Sequence, residues 1–254
     1  MKTRILTMIA ILAVVIPCLV FGGIFMEGLI LFIVAVGTYE FSKLADDPFP
    51  LSFVIMLILL EWIGLYIPSD IVFAYVGIIY LLLLALPVWH VRFTPKDSFI
   101  CMSFIAFFIL VGNAVQEIYA LGPRYMTLII VATYSCDSFA YLCGRFFGKH
   151  KLNERISPKK TIEGSIGGWV FGFLFSLLFW KLFMNKREFF LVLLSGICCP
   201  IFGQIGDLAF SAIKRCYKIK DFGNLLPGHG GILDRVDSLL FNLVCFYFLM
   251  MVVL

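Results

Sequence analysis

The residues that could do chemistry crowd into one stretch, Gly206 to Ser238. It carries Asp207, Asp221, Asp234 and Asp237, five lysines or arginines, and one of only three histidines in a chain that is 62% apolar. Charge in or beside a bilayer is expensive, so such a cluster there is a functional hypothesis by default. Carboxylates offer hard oxygens, which with phosphate oxygens and water suit Mg2+. Lys214, Arg215, Lys218 and Lys220 supply counter-charge for polyanions. Pro227-Gly228-His229-Gly230-Gly231 is a tight turn that can set N–H groups and an imidazole against phosphates. Asp234 and Asp237 are three apart and share a helical face; the helix macrodipole alone also favours acids at such a start. Gly203 and Gly206, with Pro200, allow a kink or a close helix approach beside Asp207. The competing reading of the whole stretch is a solvated polar loop. Its Gly and Pro at turn spacing and its mixed signs argue against that.

Two upstream groups could join this chemistry. Asp137, Tyr141 and Gly144 fall on one helical face, followed by Arg145, Gly148 and Lys149. A carboxylate at that depth costs roughly several kcal/mol unless it is neutralised or meets a cation. Asp137 is therefore either functional or paired with Arg145 or another base that stitches helices together. Ser157-Pro158-Lys159-Lys160-Thr161-Ile162-Glu163-Gly164, then Gly167-Gly168, sets two ammonium groups before a glycine-rich helix start, a pattern suited to an anion. A topogenic cluster, or one attracting anionic headgroups, explains it equally well.

The elements that must position these groups are apolar spans. With 254 residues, a mean hydropathy of +1.03 and 14% charged residues, the chain reads as an all-α, polytopic integral membrane protein. Runs of span length predict about nine transmembrane helices, near 5–23, 27–45, 51–67, 71–91, 98–120, 125–143, 164–184, 188–213 and 237–254. The first is basic at its start but longer than a signal-peptide core, and reads as a span. Sixteen of the twenty Lys and Arg then fall on the side of the N-terminus, which predicts that the N-terminus and both long polar loops are cytoplasmic. One integral membrane domain over 1–254 is expected, with nearly pure spans over 1–120 and a catalytic half over 121–254. Glu40, Glu61 and Glu117 in the first half read as packing or interface acids. The eight cysteines lie mostly in apolar runs without ligand spacing, so they read as packing residues rather than disulfides or a zinc site. Compact length points to a bacterial inner membrane.

The pattern Ser211-x-Ile-Lys214-Arg215-x4-Lys220-Asp221-x-Gly223-x2-Leu226-Pro227-x-His229-Gly230-Gly231-Ile232-x-Asp234-Arg235-Val236-Asp237 resembles the signature of the phosphatidate cytidylyltransferases, or CDP-diacylglycerol synthases. The upstream Asp-Ser-x-Ala-Tyr, Gly-Arg, Gly-Lys and Ser-Pro-Lys-Lys-Thr-x-Glu-Gly elements are similar to that family as well. The likeness is good over about residues 130–240; before 120 it extends only to apolar spans of similar number. It implies transfer of CMP from CTP to phosphatidate, giving CDP-diacylglycerol and pyrophosphate in phospholipid biosynthesis. It also implies a homodimer at the membrane and a two-metal centre, with Mg2+ first and Mg2+ or K+ second. Carried onto this sequence, Asp207, Asp234 and Asp237 would be the metal ligands, and Asp207, Lys220, Asp221, His229 and Asp234 the catalytic positions. Asp137, Arg145, Lys159, Lys160, Ser211, Lys214, Arg215 and Arg235 would bind substrates. Two departures stand out: Phe210 where Glu is frequent, and Phe139 where Gly is common.

A phosphate monoester has a second pKa near 6, so the lipid nucleophile is already mostly dianionic at neutral pH. His229 is therefore expected to orient or donate rather than abstract a proton. The rivals are another CTP-using lipid enzyme, such as a polyprenol kinase, and a transporter. A transporter would show a repeat and acids spread over both halves, whereas here the acids and cations gather in one half. Nothing in the chain calls for nucleic acid.

Overall fold

The computed structural model describes residues 2–45, 47 and 49–253, with side chains from Leu6 onward. Lys2 and Arg4, both used in the charge count, therefore have side chains outside the described residues. Among the described residues there are nine α-helices, in agreement with the apolar runs: α1 Lys2–Phe21, α2 Ile24–Ser42, α3 Leu51–Tyr66, α4 Val72–Trp89, α5 Pro95–Leu121, α6 Pro123–Phe147, α7 Ile162–Phe183, α8 Phe189–Cys216 and α9 Leu233–Val253. Two short strands, β1 Lys151–Asn153 and β2 Ser157–Thr161, form an antiparallel hairpin between α6 and α7. The sequence reading put only a turn there.

Among the described residues seven helical stretches are long and apolar enough to cross a membrane, which makes this a multi-pass membrane protein. The expected spans near 5–23 and 51–67 correspond to shorter apolar helices, Leu6–Phe21 and Leu51–Tyr66. The 16 residues of α3 rise about 24 Å at 1.5 Å each, less than the ~30 Å of hydrocarbon. Lipid as solvent explains the composition of these helices. In α4 only Ile79 and Leu83 are buried, while Phe73 and Val88 are 85% and 76% exposed. A helix apolar on every face is stable only where its outside meets hydrocarbon and its backbone groups pair internally.

The chain divides into two compact units, Met1–Asn113 with Phe222–Leu233, and Ala114–Asp221 with Asp234–Leu254. In the first unit Phe41 lies at the centre of an aromatic core, with ring centroids 5.6 Å from Phe104, 6.0 Å from Phe108 and 5.4 Å from Phe222. Polar links cross between its helices: the Trp62 indole donates to the Leu31 carbonyl at 3.2 Å, and the Thr38 hydroxyl to the fully buried carboxylate of Glu61. Glu40 is buried there too, whereas Glu117 is exposed.

In the second unit α6 and α7 pack backbone to backbone. Gly164, Gly168, Gly172 and Ser176 recur every fourth residue and are all buried. A Cβ at Gly168 would lie 2.7 Å from both the Cys136 carbonyl and the Ala140 Cβ, and one at Gly172 would lie 3.2 Å from the Ala132 carbonyl. Small residues at this spacing let helices approach where hydrophobic exclusion from water gives no help. The glycine-rich start read as an anion site is thus also a packing seam. The same principle governs α8 and α9: a Cβ at Gly206 would meet the Asp237 carbonyl at 2.9 Å, and one at Gly203 the Asn242 amide nitrogen at 2.7 Å. The Asn242 side chain in turn donates to the Thr133 hydroxyl at 2.7 Å, tying α9 to α6. Both phenylalanines that depart from the family pattern are packing residues. Phe139 stacks on Phe171 at 4.0 Å, and Phe210 meets Phe241 edge-on at 6.2 Å.

Overpacking a seam of this kind costs about 1–3 kcal/mol. Gly168→Val is expected to lower the melting temperature of the detergent-solubilised protein. Gly28→Val, where a new Cβ meets nothing within 4 Å, is expected to leave it unchanged; fluorescence-detected thermal unfolding measures both.

Candidate active site

In the second unit four aspartates from three helices are linked to one another and to two lysines. Asp137 comes from α6, Asp207 from α8, and Asp234 and Asp237 from the first turns of α9. The carboxylate of Asp207 acts electrostatically on Asp137 and on Asp237, and those two also act on each other. The close approach permitted by Gly206 is what brings α8 and α9 near enough for this.

Two lysines hold the cluster together. Lys160, at the end of β2, forms an ion pair with Asp207 Oδ2 and also acts on Asp137. Lys214, one helical turn after Phe210 on α8 and largely buried, pairs with Asp234 Oδ1 at 2.7 Å and also acts on Asp237. Further donors fix the carboxylates. The Ser211 hydroxyl donates to Asp207 Oδ1 at 3.3 Å, the Ser238 hydroxyl bonds Asp137, and the Ser238 N–H donates to Asp237 Oδ1 at 2.8 Å. Strand geometry separates the adjacent lysines: successive side chains alternate, so Lys160 turns to Asp207 while Lys159 is exposed.

Around the cluster, the start of α7 is closed rather than open. Thr161 caps it by accepting from the Gly164 N–H at 3.1 Å. Glu163 accepts from the N–H groups of Lys149 and His150 at 3.1 and 3.2 Å and sits 2.6 Å from His150 Nδ1. Arg215 donates to the carbonyls of Ile156 and Ile219 at 3.4 and 3.3 Å, so it ties the end of α8 to the hairpin. Arg145, Lys220, Asp221 and Arg235 are exposed. The cation facing Asp137 is Lys160 rather than Arg145, and Tyr141, read as sharing a face with Asp137, is 65% exposed.

His229 belongs to the first unit, in the loop Phe222–Leu233. This loop is a tight turn: Gly228 and Gly230 have φ of 77° and 87°, and the N–H groups of His229 and Gly230 donate to the Leu226 carbonyl at 2.9 and 3.1 Å. Those donors serve the turn itself, which corrects the expectation that they lie open to phosphates. The Ile232 and Leu233 N–H groups are held by Glu40 at 3.0 Å each.

The donor set suits Mg2+, which prefers carboxylate oxygens completed by water and phosphate. Four carboxylates face the two ammonium groups that pair with them, so acids outnumber bases among these six side chains. No group of three His, Cys, Asp or Glu among the described residues converges as a ready chelate. Ser238 and Glu40 were the contacts not foreseen. Ser238 could have been found from its place beside Asp237, and Glu40 from being an acid inside an apolar helix.

The sequence matches the model of the cytidylyltransferase family over residues 2–253. A protein of Staphylococcus haemolyticus named phosphatidate cytidylyltransferase is 34% identical over 253 residues, covering 96% of each chain. One of the same name from Staphylococcus aureus strain COL is 32% identical over 96% of each chain. The Bacillus subtilis protein of that name is 43% identical over 129 residues, about half of each chain. The sequence signature, the helices that carry it and these matches agree, and this chain belongs to the cytidylyltransferase family.

Proposed function

We propose that this protein transfers CMP from CTP to phosphatidate, giving CDP-diacylglycerol and pyrophosphate. The observation that carries the reading is the aspartate cluster of α6, α8 and α9, negative in excess and bordered by Lys160 and Lys214. Such a cluster suits a divalent ion and the phosphates that come with it. In the reaction a phosphate oxygen of phosphatidate attacks the α-phosphorus of CTP. A new P–O bond forms, the bond between the α- and β-phosphates breaks, and pyrophosphate leaves. Mg2+, when bound, supplies charge neutralisation and Lewis acidity toward the triphosphate; K+ is the alternative as second ion.

The residues of the chain then do the rest by positioning and electrostatics. Asp207, Asp234 and Asp237 hold the ion. Lys160, Lys214, Arg215 and Arg235 attract the two polyanions, with exposed Lys159, Arg145 and Lys220 drawing them in from solution. Asp137 and Ser211 orient Asp207 and its surroundings, and Asp221 steers Lys220. His229 orients or donates to a phosphate oxygen, since the nucleophile needs no base. The chain acts as one membrane domain of nine spans, as a homodimer in a bacterial plasma membrane, with the N-terminus and polar loops in the cytoplasm where CTP is found.

Purified protein in detergent is expected to convert phosphatidate and CTP to CDP-diacylglycerol only with Mg2+. Phosphorylation of a polyprenol instead, with no pyrophosphate release, would overturn the reading. Asp207→Asn and Asp237→Asn are each expected to lower kcat by about 10²–10³, the cost of removing one preorganised electrostatic contact, while the protein still reaches the membrane. Wild-type turnover in Asp234→Asn would refute its role at the ion. A cysteine placed at Glu154 is expected to resist membrane-impermeant maleimide in intact cells and to react in inverted vesicles.

A further inference from the structure

The first half of the chain contributes one carboxylate whose surroundings are more specific than packing requires. Glu40, near the end of α2, is only 2% exposed. Its Oε1 accepts the Ile232 N–H and its Oε2 the Leu233 N–H, each at 3.0 Å. Leu233 is the first residue of α9, so Glu40 satisfies donors that a helix start leaves without an intrahelical partner. A Cβ at Gly231 would lie 2.6 Å from Oε2, and one at Gly223 would lie 2.9 Å from the carboxylate carbon. Both signature glycines therefore leave room for this one side chain. Nearby, Phe222 packs on Phe41, the residue after Glu40, at 5.4 Å. The loop is thus gripped at both ends, 222–223 and 231–233, by two consecutive residues of α2.

We infer that Glu40 is a positioning residue: it locks the Phe222–Leu233 loop, whose last residue opens α9 directly before Asp234. A buried carboxylate is costly unless hydrogen-bonded, and two backbone donors at a helix start are suitable partners. The same contact makes the loop rigid. The Gly-x7-Gly spacing of 223 and 231 is then a receptor for Glu40 as well as a turn signal. This role rests on the proposed function for its effect on turnover, but the lock itself can be read without any substrate.

The test uses the full-length protein in detergent, with Glu40→Gln, Glu40→Ala and Gly231→Ala, and with Glu27→Gln, an exposed acid on the same helix, as control. Glu40→Gln keeps one acceptor, so amide hydrogen exchange in peptides spanning 222–236 is expected to rise in the order wild type, Gln, Ala. Gly231→Ala, whose methyl displaces the carboxylate, is expected to match Glu40→Ala, and Glu27→Gln to match wild type. If the cytidylyltransferase reading holds, kcat falls about tenfold in Glu40→Gln and further in Glu40→Ala, and the Mg2+ half-saturation rises in the same order, because Asp234 directly follows the released residue in the chain. Unchanged exchange in all three variants would overturn the lock. A shifted Mg2+ requirement with unchanged exchange would make Glu40 a ligand instead and also overturn it. Increased exchange in a protein that never converts phosphatidate would sustain the lock and sink the enzyme reading.

Discussion

Charge neutralised in place is the constraint on which the rest of this structure depends. Asp137, Asp207, Asp234 and Asp237 sit on helices otherwise built for hydrocarbon; the first two and Asp237 act on one another electrostatically, and Asp234 joins them through Lys214. Lys160 and Lys214 make that tolerable, each pairing with one aspartate while acting on a second. The arrangement is balanced only in part.

Close helix approach is what makes such a cluster possible. In a bilayer, apolar side chains gain nothing by leaving lipid for protein, so association relies on close contact and on polar links. The seam of Gly164, Gly168, Gly172 and Ser176 brings α7 onto α6, and Gly206 brings α8 onto α9 beside Asp237. Asn242 and Thr133 add a hydrogen bond between α9 and α6. The packing residues and the charged residues interleave on the same helices, a few positions apart. The placing of the carboxylates therefore depends on glycines that carry no chemistry of their own.

Much of this was legible before any coordinates. Apolar runs marked the places of the nine helices, seven of which among the described residues are long and apolar enough to span, because hydrocarbon imposes length and composition together. The signature from Ser211 to Asp237 named most of the charged residues. The hairpin at 151–161 was missed because three- and five-residue strands carry no alternating apolar pattern to betray them. Lys159 and Lys160 look equivalent as text, and only the alternation of β2 sends one to Asp207 and the other outward. The open N–H groups expected of the His229 turn were a similar misreading. A glycine-rich sequence says that donors are near the surface of a turn, but not that the turn itself takes those of His229 and Gly230.

By itself the sequence determined the membrane class, the approximate spans, the place of the charged stretch and its family, because each follows from residue type and spacing along the chain. Only the tertiary structure decided which aspartates share a neighbourhood, which lysine answers which carboxylate, and why Gly223 and Gly231 must lack side chains. Those facts depend on contacts between residues as far apart as Glu40 and Leu233. Distances of that kind are set by helices packing in three dimensions, and local periodicity carries no record of them.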